Sequence, residues 1–256
     1  MKRIAIKVGS NVLTREDGTL DITRMSALTD QIAQLHRRGL EVILVSSGAV
    51  ASGRSEVRPD MELDSVAARQ IFSAVGQAKL MNRYYDLFHC HGIACGQVLT
   101  TKSSLELPQH YENQKNCIES LLSCGIIPIV NENDTISITE LMFTDNDELS
   151  GWMAQMMSCD MLIILSNIDG VYDGDPSAES SRLIPVIHPG ADDLSGCIKD
   201  EKSSFGRGGM MTKCGVALRL ASEGTPVVIA NGKRDEVIVR IIDGDASLPC
   251  TRFVQL

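Results

Sequence analysis

The stretch Glu41-Val42-Ile43-Leu44-Val45-Ser46-Ser47-Gly48 carries four consecutive aliphatic residues and then breaks into hydroxyls and a glycine. A strand without a polar face has to be covered on both sides. The same construction recurs: Ile4 to Val8 runs into Gly9-Ser10-Asn11, and Ile126-Ile127-Pro128-Ile129-Val130 runs into Asn131-Glu132-Asn133-Asp134. Further strands are expected at Ile93 to Leu99, Met161 to Leu165 and Thr225 to Ala230.

Amphipathic segments lie between these runs. Met25, Leu28, Ile32 and Leu35 recur at helical spacing, and Gly39 follows His36-Arg37-Arg38, a basic last turn with a glycine stop. Val66 to Phe88, Asn113 to Leu122, Glu148 to Met157 and a segment ending near Ala221 read as further helices. Continuous apolar strands alternating with helices predict an α/β fold, a parallel sheet with helices on both faces. In such sheets ligands bind beyond the carboxyl ends of the strands, so the polar turns are where chemistry is expected. Alternation of Ile136, Ile138 and Leu141 between Asp134 and Asp147 suggests a hairpin reaching over that edge.

At 256 residues the chain is long enough to bury a full core without disulfides or a structural metal. Its formal net charge of −9, with no block of basic residues, disfavours nucleic acid as a partner. The opening MKRIAIKVGS is too short in its apolar run for a signal peptide, and no stretch approaches the about 18 apolar residues of a membrane span. A cytoplasmic protein is therefore expected, its eight scattered cysteines reduced and mostly buried. His89, Cys90, His91 and Cys95 lack the paired spacing of a zinc site, so no protein-held metal is expected.

Three strand or helix junctions carry groups suited to phosphate. Lys7-Val8-Gly9-Ser10 offers a cation, an approachable backbone and a hydroxyl, and Ser46-Ser47-Gly48-Ala49 leads toward a helix N-terminus. Gly206-Arg207-Gly208-Gly209-Met210-Met211-Thr212-Lys213 combines glycines with a lysine one turn into a helix. Neither GxxxxGK[ST] nor GxGxxG is present. Of the acidic groups, Asp134 stands in Asn-Glu-Asn-Asp, and Asp145-Asn146-Asp147 opens a helix. Asp147 is open to two readings, as the cap of that helix or as a partner for lysines at a phosphate. No GxSxG elbow or cysteine–histidine signature supports a nucleophile, and His36 and His188 read as structural.

Taken in order, Lys7-Val-Gly-Ser, Ser47-Gly-Ala-Val, Asn131-Glu-Asn-Asp134, Asp145-Asn146-Asp147-Glu-Leu-Ser, Asp169-Gly170-Val171-Tyr172 with Asp175-Pro176, and Gly208-Gly209-Met210-Met211-Thr212-Lys213 resemble the amino-acid kinase family, over nearly the whole chain. The Asn-Glu-Asn-Asp and Asp-Asn-Asp segments are similar in particular to its members that phosphorylate glutamate. The resemblance implies a three-layer αβα sandwich with a mostly parallel central sheet, residues 1–256 forming one domain. Its N-terminal half would take the amino acid and its C-terminal half ATP, with Mg²⁺ carried by the nucleotide. Lys7 and Lys213 would flank the migrating phosphoryl group, with Asp147 holding both. Ser47, Gly48, Asn131, Asp134, Asp145 and Asn146 would form the L-glutamate site. Lys7, Gly9, Ser166, Asn167 and the run Arg207, Gly208, Gly209, Met210, Met211, Thr212 and Lys213 would line the nucleotide.

The expected reaction is ATP-dependent phosphorylation of the glutamate γ-carboxylate, the first step of proline biosynthesis, with a reactive acyl phosphate handed to the next enzyme. A homo-oligomer is implied by the same likeness. Kinases of acetylglutamate or UMP, and a non-catalytic glutamate or proline sensor, are the alternative readings. Three departures stand out: Arg207 replaces a small hydroxyl residue, Asn167 replaces an aspartate, and the C-terminal domain of the kind found in RNA-modifying enzymes is missing from the sequence.

Overall fold

A computed structural model describes residues 1–136, 143, 145–190 and 209–255. The chain opens with β1 (Arg3–Val8), a short turn of helix α1 (Ser10–Leu13), α2 (Ile22–Arg37) and β2 (Glu41–Ser46). Helices α3 (Ala49–Glu56) and α4 (Ser65–His89) precede β3 (Cys95–Thr100). Then come α5 (Lys102–Glu106), α6 (Pro108–Ser123), β4 (Ile127–Glu132), α7 (Asn146–Met156) and β5 (Met161–Ser166). The chain finishes with β6 (Val186–Ile187), α8 (Met210–Ser222), β7 (Val227–Asn231), α9 (Val237–Ile242) and β8 (Cys250–Phe253).

The strands form one sheet in the order β3-β4-β2-β1-β5-β7-β8-β6. Every pairing is parallel except β7 with β8. Period-2 alternation sorts the side chains into two layers. Ile4, Ile6, Val42, Leu44 and Ile163 face a core made with α2, α4 and α9. Ala5, Ile43, Val45, Ile164 and Ile229 face a second core made with α6, α7 and α8. Each buried aliphatic side chain contributes about 1.5–3 kcal/mol of transfer free energy, which explains why sequence runs without polar interruptions became the central strands.

Strand β1 lies where the order reverses. From it the first half of the chain builds outward through β2, β4 and β3, and the second half through β5 and β7. Its exit splits accordingly: Val8 O accepts from Ser47 N at 3.0 Å on one side, and Gly9 N donates to Leu165 O at 3.2 Å on the other. A crevice at a switch of this kind is where α/β sheets bind ligands.

One contact sets the shape of the crevice. A Cβ built on Gly53 would lie 1.8 Å from Phe72 O, and one on Gly76 would lie 1.8 Å from Ala49 O. Helices α3 and α4 therefore cross backbone to backbone, which brings the turn after β2 against the middle of α4. Gly48 makes that turn at φ 104°, where a side chain would be strained.

The edge departs from expectation. Strands β6 and β8 escaped the sequence reading, because β6 has two residues and Cys250-Thr251-Arg252-Phe253 has no apolar run. The third strand starts at Cys95, two residues after Ile93. Of the seven described cysteines, Cys159, Cys214 and Cys250 are buried, but Cys90, Cys117 and Cys124 are exposed and Cys95 is half-buried. The expectation of mostly buried thiols fails because Cys90, Cys117 and Cys124 fall on helix ends and outer faces. The expected hairpin falls largely on residues 137–142 and Thr144, outside the described residues.

Candidate active site

Along β1, Lys7 is two residues past Ala5 and shares its face, so its side chain emerges toward α7 and α8 at the carboxyl end of the sheet. There Lys7 Nζ lies 2.5 Å from Asp147 Oδ1, and Lys213 Nζ, one turn into α8, donates to Asp147 Oδ2 at 2.9 Å. Asp147 is 0% exposed, Lys7 5% and Lys213 8%. Burial alone would push the Asp147 carboxyl up, but the two ammonium charges and their hydrogen bonds outweigh it and hold the group below the ordinary carboxylate range.

The capping reading of Asp147 is corrected here. The N-cap of α7 is Asp145, whose Oδ1 accepts from Asp147 N at 2.8 Å and Glu148 N at 3.0 Å. Asp145 stands before the first turn and can reach those amides; Asp147, inside the turn, is left to point at the lysines. Burial, followed by the charge of Asp147, drives the Asp145 carboxyl upward. Lys7, Lys213 and Asp145 all line the crevice, with Asp147 behind them. Both ammonium groups reach the crevice wall while the carboxylate that they share is recessed, so cations face the opening beside Asp145, which suits an anion.

The crevice has a volume of about 1140 Å³ and runs across the end of β1. On its β2–β4 side Asn146 Nδ2 donates to Ser47 Oγ at 2.9 Å and to Asn131 Oδ1 at 3.0 Å. Asn131 Nδ2 in turn donates to Gln77 Oε1 at 2.9 Å. Asp134, expected in the same group, is held by the Arg69 guanidinium, with Arg69 Nε to Asp134 Oδ1 at 2.7 Å and a closer contact from Nη2. Ser47, Gly48, Asn131, Asp134, Asp145 and Asn146 thus share one wall.

The β5–α8 side relies more on backbone. Gly9, Ser166, Asn167, Gly209 and Met210 line it, with Tyr172, Asp175 and Ser177 from the loop after β5 further out. A Cβ on Gly9 would sit 3.2 Å from Leu165 O, a tight approach to backbone, and 3.5 Å from Lys7 Nζ, in contact with the lysine. Gly209 opens α8 and, as a glycine, gives it no side-chain cap, and this helix start meets the crevice beside Lys213. A helix N-terminus, two ammonium groups and a glycine floor fit a triphosphate. The loop after β5 is anchored from the edge: Thr251 Oγ1 accepts from Val171 N at 2.8 Å, and Arg234 grips Asp169 with bonds of 2.6 and 2.7 Å.

Not every expected residue comes together. Met211 is half-exposed and, like Thr212, is absent from the crevice wall, because both point around α8 from Lys213. Arg207 and Gly208 lie outside the described residues. Among the described residues no group of three or more His, Cys, Asp or Glu is placed to hold a metal ion, and no helix is long and apolar enough to cross a membrane. Missed by the sequence reading were Arg69 and Glu132, which line the crevice, and Gln77 behind them. Arg69, Ser73 and Gln77 recur every fourth residue of α4, a polar stripe that would have marked a second wet face.

A family model described as the amino acid kinase family matches residues 2–231. The chain is 63% identical to a glutamate 5-kinase of Bacteroides thetaiotaomicron, over 98% of this chain and 70% of that protein. It is 49% identical to a glutamate 5-kinase of Chlorobaculum tepidum, over 95% of this chain and 67% of that one. Solved structures of isopentenyl phosphate kinase superpose with a TM-score of 0.67 over 98% of this chain and 100% of theirs, at 20% identity, a likeness of fold. With the sheet order, the lysine-flanked crevice and the matched sequence in agreement, the chain belongs to the amino acid kinase family.

Proposed function

We propose that the chain transfers the γ-phosphoryl group of ATP to the γ-carboxylate of L-glutamate, giving L-glutamyl 5-phosphate and ADP as the first step of proline biosynthesis. The observation that carries this reading is the meeting of Lys7 and Lys213 on Asp147 between two differently built walls. Similarity to glutamate 5-kinases over almost the whole chain supports the choice of substrate.

In this reading ATP lies along Gly9, Ser166, Asn167, Gly209 and Met210, with Arg207 and Gly208 on the same run. Glutamate lies against Ser47, Gly48, Asn131, Asp134 and Asn146. A γ-carboxylate oxygen attacks the γ-phosphorus while the bond to the β-phosphate bridging oxygen breaks and ADP departs. Such a transfer asks chiefly for in-line positioning and for positive charge on the equatorial oxygens. Lys7 and Lys213 supply that charge, and Asp147 fixes their separation. The acceptor is ionised at neutral pH, so no general base is required. Mg²⁺, carried on the nucleotide, would neutralise phosphate charge.

Residues 1–256 form one domain in this proposal, acting in the cytoplasm as a homo-oligomer coupled to the enzyme that consumes the acyl phosphate. Incubation with ATP, Mg²⁺, glutamate and hydroxylamine tests the activity. Hydroxamate should form with glutamate and not with aspartate, N-acetylglutamate or UMP; its absence with glutamate would overturn the reading.

A further inference from the structure

Helix α4 contributes a cation that the reaction as described does not use. Arg69 lines the crevice and lies against two buried carboxylates from the end of β4 and the turn beyond it. Its Nε donates to Asp134 Oδ1 at 2.7 Å, and its Nη2 reaches the same oxygen and Glu132 Oε2 at 3.4 Å. The second Asp134 oxygen accepts from Ser73 Oγ at 3.3 Å, one turn further along α4. Glu132 Oε1 accepts from Phe143 N at 2.9 Å, on the segment that returns to Asp145, Asn146 and Asp147.

These bonds locate Asp134 from two sides. Without Arg69, two buried carboxylates would face each other beside the crevice with no cation from α4 between them. With it, Asp134 keeps a fixed orientation at the crevice wall, an anionic acceptor for one ammonium. Building on the function proposed above, we propose that Arg69 is a positioning residue for the amino-acid substrate: acting through Asp134, it orients the carboxylate that receives the α-ammonium and so makes the site select an amino acid over a plain dicarboxylate.

The test compares glutamate with glutarate, which keeps both carboxylates and lacks the ammonium. Wild-type enzyme, Arg69→Gln, Arg69→Lys, Asp134→Asn and the Arg69→Gln/Asp134→Asn double variant are assayed for the KM of glutamate and of ATP and for the Ki of glutarate. Arg69→Gln should raise the KM of glutamate about 10- to 100-fold, the usual effect of deleting a partner from a charged hydrogen bond, with the KM of ATP and the Ki of glutarate within about twofold of wild type. The glutamate-over-glutarate preference should fall in step. Arg69→Lys should recover part of it, and the double variant should lose little more than Asp134→Asn alone. A preference left intact in Arg69→Gln, equal weakening of ATP and glutamate, or effects that multiply in the double variant would overturn the proposal. Should Arg69→Gln fail to fold, Arg69→Lys decides by the same split. Wild-type enzyme that does not turn over glutamate would instead overturn the function on which this inference rests.

Discussion

The two walls of the crevice are built on different principles. On the β2–β4 side, side chains are tied to one another before any ligand arrives: Ser47 to Asn146, Asn146 to Asn131, Asn131 to Gln77, and Arg69 to Asp134 and Glu132. On the β5–α8 side the described polar side chains bond to near neighbours in the chain, Ser166 to Asn167 at 3.4 Å and Ser177 to Asp175 at 2.7 Å, and glycine and helix-end backbone make up much of the wall between them. A small acceptor has to be distinguished from near analogues, which calls for fixed donors and acceptors. A triphosphate offers repeated charge, which backbone amides and two lysines can meet without side-chain detail. Asp147 belongs to neither wall and joins both, through one lysine from β1 and one from α8.

The sharpest way to separate the junction from the walls is Lys213→Ala. Removing one charge-stabilising group at a transition state costs about 10²–10³ in rate. The expected outcome is a loss of kcat of that size with an unchanged circular dichroism spectrum; near-normal turnover would break the assignment of the junction. Asp147→Asn tests the same point through stability. It leaves two buried ammonium groups without their carboxylate, expected to cost about 3–5 kcal/mol in chemical denaturation. The pH dependence has a definite sign. The Asp147 carboxyl is held below its ordinary 3.8 in the folded chain, so its contribution is complete above that value and is lost as pH falls below it. Wild type should therefore lose more stability than Asp147→Asn as pH falls below 3.8, the remaining acid loss shared by both coming from other paired carboxylates such as Asp169.

A smaller effect, confined to one wall, is expected from Gly76→Ala. Its methyl would meet Ala49 O and force α3 away from α4, with about 1–3 kcal/mol of destabilisation read from thermal melting. Because α3 follows directly from Ser47 and Gly48, the KM of glutamate should rise and that of ATP stay put; equal changes would deny the independence of the walls. The smallest effect is expected from Ser166→Ala, since a single neutral hydrogen bond contributes about 0.5–1.5 kcal/mol. Its KM for ATP should rise by about 2- to 13-fold, as befits a wall that relies on backbone.

The unequal construction also decides what could be read in advance. Strands β1, β2, β4 and β5 announce themselves because burial on both faces removes polar residues from them, and the groups at their ends follow from the fold class. Lys7 is conspicuous as a charge closing an apolar strand, and Lys213 as a charge after glycines. What the chain order does not disclose is the role of each aspartate in Asp145-Asn146-Asp147: either can cap a helix, and only the direction of the first turn assigns Asp145 to the amides and Asp147 to the lysines. Arg69 and Gln77 were hidden for a related reason. Polar residues on a long helix read as its solvent face until the backbone crossing at Gly53 and Gly76 shows that this face meets the crevice. Strand β8 went unseen because its four residues, Cys250-Thr251-Arg252-Phe253, carry no continuous apolar run, although its buried Thr251 anchors the loop after β5.

The most direct test of the junction is a double-mutant cycle on Lys7→Ala and Lys213→Ala, reading kcat at saturating ATP and glutamate. If both ammonium groups serve one phosphoryl group as a unit held by Asp147, either single change should cost about 10²–10³ and the double little more. Losses that multiply, or a Lys7→Ala enzyme that turns over like wild type, would contradict it.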